Sequence, residues 1–280
     1  MSASPSFEPK PLDIAPPPPS SFEVDLSKVD ARFFADNGYS EVERVTTDEE
    51  LEWLRMVYDT LIALPRSGFL DGIFDLASPY GTTDEPKVGQ LLVPERFVPQ
   101  IKKTAMYRNA RRIASKLLQV EDAKIESWGH LIFKKAGDGD ITPWHQDESY
   151  WDVTKSYYAL GSWLPLEDVN TENGCLWFVP GSHRGEVLPH QHKGNDPSVH
   201  ILEFRDQQDT SKGVPVPLKA GGMTFHHSRT WHYAGPNRTS RIRRAWANEF
   251  QTAPVKREVP ADYPWIAEGR KAHAERLAKR

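Results

Sequence analysis

His145-Gln146-Asp147 is the group of residues best suited to chemistry in this chain. On an extended segment, residues i and i+2 point to the same side, so an imidazole and a carboxylate can converge on one ion. Ten histidines in 280 residues make one such triplet unremarkable by itself, and its surroundings must decide. The single cysteine, Cys175, can form neither an internal disulfide nor a multi-thiolate zinc or iron-sulfur site. Any metal here must therefore be held by His and carboxylate.

The triplet stands in Thr142-Pro143-Trp144-His145-Gln146-Asp147-Glu148-Ser149-Tyr150-Trp151. A second block reads Glu172-Asn173-Gly174-Cys175-Leu176-Trp177-Phe178-Val179-Pro180-Gly181-Ser182-His183. A third reads His232-Tyr233-Ala234-Gly235-Pro236-Asn237-Arg238-Thr239, with Arg243 eleven residues after the His. In this order the blocks resemble the phytanoyl-CoA dioxygenase family of iron(II)- and 2-oxoglutarate-dependent oxygenases, over about residues 30–252.

The resemblance implies that His145, Asp147 and His232 ligate Fe(II). Two His and one carboxylate leave three adjacent positions open, two for 2-oxoglutarate and one for O2. It implies that Arg243 grips the far carboxylate of 2-oxoglutarate through two charge-assisted hydrogen bonds, while Arg244 points to the opposite face of its strand. Trp163 matches a co-substrate-contacting position, with core packing as the equal alternative, and Leu131 stands near another. Ala234 replaces a Ser or Thr common in the family, so Thr224, Ser228, Tyr158 or Thr230 must supply the missing donor. Asp147 in place of Gly or Ala argues for oxygen insertion or desaturation over halogenation. Substrate contacts are expected from Tyr150 and Trp151, and further from Tyr107, Arg108, Lys134, Arg229 and Trp231.

The implied activity is hydroxylation of an unactivated C–H bond in a small metabolite or natural-product intermediate, with release of succinate and CO2. The alternatives are desaturation or ring formation by the same centre, or a non-oxidative cupin-type metal-binding protein acting as sensor or isomerase. Of His226 and His227, alternation directs only one inward, where support of a ligand or core packing is expected in preference to ligation. His183 reads as structural, and His190 and His192 form a pair on a loop without an accompanying carboxylate block.

These residues need elements to hold them. Thr47 and Glu50 form a capping box before a helix over about 48–63, and a second amphipathic helix is expected over about 98–118. From about residue 124 the period changes to short aromatic and β-branched runs broken by Gly, Pro and Asn. Seven strands are expected, over 127–135, 158–166, 175–179, 199–204, 214–218, 223–225 and 244–250, with Asn173-Gly174 as a tight hairpin turn. The expected fold is mainly β with flanking helices, a double-stranded β-helix of the jelly-roll, cupin-like type, closed into a barrel. Residues 1–22 read as a Pro-rich leader, disordered or draped on the surface, 23–267 as one oxygenase domain, and 268–280 as a charged tail or short helix. Five of the nine Trp fall in or beside the three blocks and are expected to wall one dry chamber.

Thirty-five basic against 39 acidic side chains, with no dominant basic stretch, give no electrostatic reason to expect nucleic acid as a partner. No apolar run is long enough to span a membrane. A small-molecule substrate, a monomer or homodimer, and a cytoplasmic location are expected, the last from the lack of a secretory signal pattern and the lone cysteine.

Overall fold

The computed structural model describes residues 10–64, 73–79, 88–137 and 139–278. Its helices are α1 (Ala31–Asn37), α2 (Asp48–Ile62), α3 (Ala105–Leu118) and α4 (Pro264–Ala278). The strands up to the His145-Gln146-Asp147 triplet are β1 (Tyr39–Val42), β2 (Ile73–Asp75), β3 (Val88–Leu92), β4 (Glu126–Lys134) and β5 (Thr142–His145). There follow β6 (Lys155–Ser156), β7 (Ala159–Pro165), β8 (Leu176–Phe178), β9 (His190–His192) and β10 (Leu202–Phe204). The last are β11 (Val214–Val216), β12 (Met223–His227), β13 (His232–Ala234), β14 (Arg243–Gln251) and β15 (Val255–Lys256).

Seven strands pair in the order β1-β12-β7-β14-β4-β3-β2, and four in the order β11-β8-β13-β5. The outer face of the large sheet is apolar. Leu160, Leu164, Phe225, Trp246 and Phe250 pack there with Leu54, Val57, Tyr58, Ile113 and Leu117 of α2 and α3. Burial of these aliphatic and aromatic side chains fastens the helices to the sheet. Glu50 joins the two helices. Its carboxylate accepts from the Ala105 and Met106 backbone N–H groups at 2.7 and 2.8 Å, so it caps the start of α3. Thr47 caps α2 by accepting from Glu50 N–H at 3.2 Å, but the reciprocal half of the expected capping box is diverted to α3. The second helix begins at Ala105, because Pro99–Lys103 forms a separate 3-10 turn ahead of it.

The expected closed barrel is not found. Among the described residues, the large sheet ends at edge strands β1 and β2 and the small one at β11 and β5, and neither closes on itself. The architecture is a mixed α/β fold with several sheets. Counting short strands says nothing of closure, which depends on long-range pairing between the edges of the sheets; here the large sheet's edges β1 and β2 do not pair with the small sheet's edges β11 and β5. The Asn173-Gly174 hairpin is corrected for a related reason. Gly174 does take a positive φ of 86°, but β7 pairs in the large sheet and β8 in the small one, so the turn carries the chain between sheets.

Residues 1–9 of the Pro-rich leader lie outside the described residues. Residues 10–22 run along α2 and α3, with Leu12 N–H bonded to Phe97 O at 2.7 Å and Trp53 Nε1 to Ala15 O at 2.8 Å. The C-terminal helix starts at Pro264, ahead of the expected tail, and docks through buried Trp265, whose Nε1 donates to Ser149 O at 2.9 Å.

Candidate metal centre

Gln146 remains extended, with φ −124° and ψ 133°, so the alternation of β5 carries past its end to Asp147. His145 and Asp147 consequently share a face, while the Gln146 amide is spent on Glu186 O, Arg229 O and Leu188 N–H. His232 on β13 is the direct cross-strand partner of His145, and the two ring centroids lie 4.1 Å apart. Each Nδ1 is tied to a backbone carbonyl, His145 to Pro143 at 2.7 Å and His232 to Thr230 at 3.0 Å. With the proton held at Nδ1, each Nε2 lone pair faces the common centre.

Asp147 Oδ1 lies 3.6 Å from His145 Nε2 and 3.4 Å from His232 Nε2. One ligand atom from each of the three residues falls within 4.8 Å of the others. These separations are long for hydrogen bonds and short enough for one cation to bridge all three, so the donor set fits a two-His, one-carboxylate metal site. Burial alone would raise the Asp147 pKa. The electrostatic pull of the adjacent His232 ring and the hydrogen bond from His226 at 2.9 Å instead hold it well below the usual carboxylate range. Burial, with His232 adding to it, pushes His145 below its ordinary value, so its imidazole is neutral and ready to ligate.

The centre opens on a cavity of about 90 Å³ between the two sheets. Arg243 and Trp163 line it, with the Arg243 guanidinium carbon 5.3 Å from the Trp163 ring centroid. Arg243 is 2% exposed. Arg244 faces the other side of β14 and pairs with Glu167 and Asp59 at 2.6 and 2.7 Å, as alternation requires. Leu131 does not line the cavity. It belongs to the core against the helices, and its neighbours His130 and Ile132 are the lining residues of β4.

The expected substrate residues are scattered. Tyr150 sets its ring edge-on to His145 at 5.9 Å and lines a second cavity, of about 370 Å³, beneath α4. Trp151 packs against Tyr157, Trp231 against Phe204, and Arg229 lies 3.6 Å from Glu148. Tyr107 and Arg108 belong to α3, on the far side of the large sheet. Lys134 is buried, its Nζ donating to the carbonyls of Asp140, Ala234 and Gly235, which makes it a clamp between β4 and β13. Among the described residues, Trp163 is the single Trp in the cavity lining, so the expected chamber of five indoles is not formed.

Of the four alternatives for the donor missing at Ala234, three are committed elsewhere. Ser228 donates to Glu148 at 3.1 Å, Thr230 to Gly38 O at 2.6 Å and Tyr158 to Leu118 O at 2.9 Å. Thr224, beside Trp163 in the sheet, keeps a buried hydroxyl with no hydrogen-bond partner.

Thr142, across from Ala234, also lines the cavity, as do His130 and Glu249, none of which sequence reasoning assigned to it; of the pair His226 and His227, of which one was expected to face inward, it is His226 that lines the cavity. Counting by twos along β14 from Arg243 reaches Glu249, which is the signal that would have found it. Burial and the nearby Asp147 charge drive the Glu249 carboxyl well above its ordinary range, and burial lowers His130 to about 4.

A model of the phytanoyl-CoA dioxygenase family matches residues 34–245. The structure is similar to that of EvdO2 from Micromonospora carbonacea var. aurantiaca complexed with 2-oxoglutarate, at 36% identity and a TM-score of 0.75. That likeness covers 85% of this chain and 95% of EvdO2. Phytanoyl-CoA dioxygenase domain-containing protein 1 of Danio rerio is 29% identical over 185 residues, 64% of this chain and 62% of that protein. The peroxisomal phytanoyl-CoA dioxygenase of Homo sapiens is 29% identical over 128 residues, 44% of this chain and 38% of that protein. This last likeness overturns the expectation of a cytoplasmic location. A lone cysteine and a missing secretory pattern do not separate one reducing compartment from another, and peroxisomal addresses are short receptor-read signals that composition does not reveal. The match over residues 34–245, together with the convergence of His145, Asp147 and His232, leads to one conclusion: the chain belongs to the phytanoyl-CoA dioxygenase family.

Proposed function

We propose that this protein is an Fe(II)- and 2-oxoglutarate-dependent oxygenase that hydroxylates a C–H bond of a small metabolite or natural-product intermediate. The observation that carries the reading is the convergence of His145 Nε2, Asp147 Oδ1 and His232 Nε2 at one end of a cavity whose lining includes Arg243. Fe(II) held by those three residues would supply the redox chemistry, coupling O2 activation and decarboxylation of 2-oxoglutarate to oxygen insertion. The chain's own groups bind, orient and exclude water.

Arg243 takes the distal carboxylate of 2-oxoglutarate, where a buried guanidinium offers two parallel charge-assisted bonds. Trp163 holds that guanidinium in place by its ring face. Thr224 and Thr142 stand in for the hydroxyl missing at Ala234. The Nδ1 bonds of His145 and His232 keep both rings from turning, and the walls of Ile132, Leu176 and Ala247 keep the centre dry. A small substrate suits the lining, which among the described residues contains one Arg or Lys, Arg243, while the basic cluster of α3 lies behind the large sheet.

Anaerobic addition of Fe(II) and 2-oxoglutarate tests the reading through the weak visible charge-transfer band expected of the ternary complex. Its absence from the folded wild-type protein would sink the proposal. His145→Ala should abolish succinate formation, whereas Arg243→Ala should chiefly raise the 2-oxoglutarate concentration required.

A further inference from the structure

The two oxygens of Asp147 have different surroundings. Oδ1 faces His145 and His232, whereas Oδ2 lies 2.9 Å from Nε2 of a third imidazole, His226. We infer that His226 is a positioning residue that captures Oδ2 and so presents Asp147 to the metal through Oδ1 alone. The inference rests on the reading that His145, Asp147 and His232 hold a divalent metal.

The geometry supports one hydrogen-bonding arrangement. His226 is 5% exposed, and its Nδ1 is buried with no hydrogen-bond partner. A proton on Nδ1 would be a buried, unsatisfied donor, whereas a proton on Nε2 meets the carboxylate oxygen directly. The arrangement with the proton on Nε2, donating to Oδ2, is therefore the one that fits. The ring is clamped between Phe178, at 5.3 Å between centroids, and His232, at 4.5 Å. It cannot swing away to release Oδ2 without displacing one of them.

Gly161 supplies the space for this contact. It is the cross-strand neighbour of His226 on one side and of Glu249 on the other. A Cβ at position 161 would lie 2.8 Å from His226 Nε2 and 3.3 Å from Asp147 Oδ2, so any other residue there would drive the pair apart. Without the His226 bond, the carboxylate could turn both oxygens to the metal. It would then occupy a position that 2-oxoglutarate or O2 needs. Partners that orient a metal ligand from behind are typically worth about 10- to 100-fold in metal affinity.

The test is titration of the metal-free full-length protein with Co(II), followed by visible d–d absorption, for wild type, His226→Phe, His226→Gln and Gly161→Ala. The Phe variant should weaken Co(II) binding by about 10- to 100-fold and alter the band shape, because the carboxylate changes its mode of binding. The Gln variant keeps an N–H donor and should recover most of the affinity and the wild-type spectrum. Gly161→Ala should behave like the Phe variant, and it carries the test if His226→Phe does not fold by circular dichroism. Wild-type affinity and spectrum in the Phe or Ala variant would overturn the inference, as would a Gln variant as weak as Phe, which would reduce His226 to packing. Failure of the wild type itself to bind Co(II) would overturn the triad reading instead, and the two failures are thereby distinguished.

Discussion

The two faces of the large sheet are built on the same strands and have opposite characters. Along β14, Trp246 and Phe250 face the helices, while Arg243, Ala247 and Glu249 line the cavity. β4 repeats the division, with Leu131 and Phe133 on the helix side and His130 and Ile132 on the cavity side. One face buries apolar area and holds the fold, whereas the other places titratable groups where water is scarce. A period of two lets one strand serve both purposes, so substitutions on the two faces should separate chemistry from stability.

The largest effect should come from the cavity side. Asp147→Ala removes the one carboxylate of the triad, and metal affinity should fall by well over about 100-fold, beyond what loss of an outer partner costs. Succinate production should cease while the far-ultraviolet circular dichroism spectrum is retained. On the helix side, Trp246 is completely buried against Tyr58, and Trp246→Ala should cost about 3–5 kcal/mol in urea unfolding. Its folded fraction should still bind Co(II) with the wild-type constant. A lost or altered metal site in folded Trp246→Ala would break the division between the faces.

That division was legible in part from the amino-acid order. The i, i+2 relation of His145 and Asp147 survives because Gln146 stays extended, and the opposed directions of Arg243 and Arg244 follow from the same rule. Leu131 failed by one position, since a shift of one residue moves a side chain to the opposite face. Tyr107 and Arg108 failed because a helix's own periodicity does not say which side of a sheet it will cover. Lys134 looked like a cation in search of a ligand, but the carbonyls of Asp140, in the loop between β4 and β5, and of Ala234 and Gly235, at the end of β13, already occupy it. Closure of the sheets was beyond local reading, because strand order is set by long-range pairs such as β1 with β12. His226 and Glu249 needed only counting by twos once β12 and β14 were recognised as facing the cavity.

A smaller effect concerns acid. Burial lowers His130 and His200 to about 4, and His190 and His227 to about 3. In the unfolded chain these imidazoles take up protons near pH 6.5, while in the native state they remain neutral to far lower pH. The unfolded state then binds more protons, so stability is full above about pH 6.5 and is lost as pH falls toward the folded values. Between pH 7.5 and 5.5 each histidine should remove roughly 1 kcal/mol, measured by urea unfolding of the metal-free protein. His130→Gln should remove about a quarter of that slope, and Trp246→Ala should leave the slope unchanged. Acid sensitivity that shifts with Trp246 instead would place its origin on the helix side.

The smallest expected effect isolates Glu249, whose carboxyl is raised by burial and by the Asp147 charge. The sign is opposite to that of the histidines. Above the ordinary carboxylate range the unfolded chain has released this proton and the native state retains it, so stability falls as pH rises toward the folded pKa. Glu249→Gln removes that dependence while keeping a neutral side chain of similar shape. At pH 4, where the unfolded carboxyl is still largely protonated, the variant and wild type should melt within about 1 °C of each other. At pH 8 the variant should melt higher, by about 2–4 °C for each kcal/mol recovered in a domain of this size. The difference between the two proteins carries the information, because the histidine contribution is common to both and cancels. A difference that does not change between pH 4 and pH 8, or a wild type that melts higher than the variant at pH 8, would mean that Glu249 is ionised in the fold. The cavity side would then carry a second carboxylate charge close to Asp147, compensated by Arg243 and the surrounding imidazoles, in place of one ionised carboxylate facing the Arg243 guanidinium.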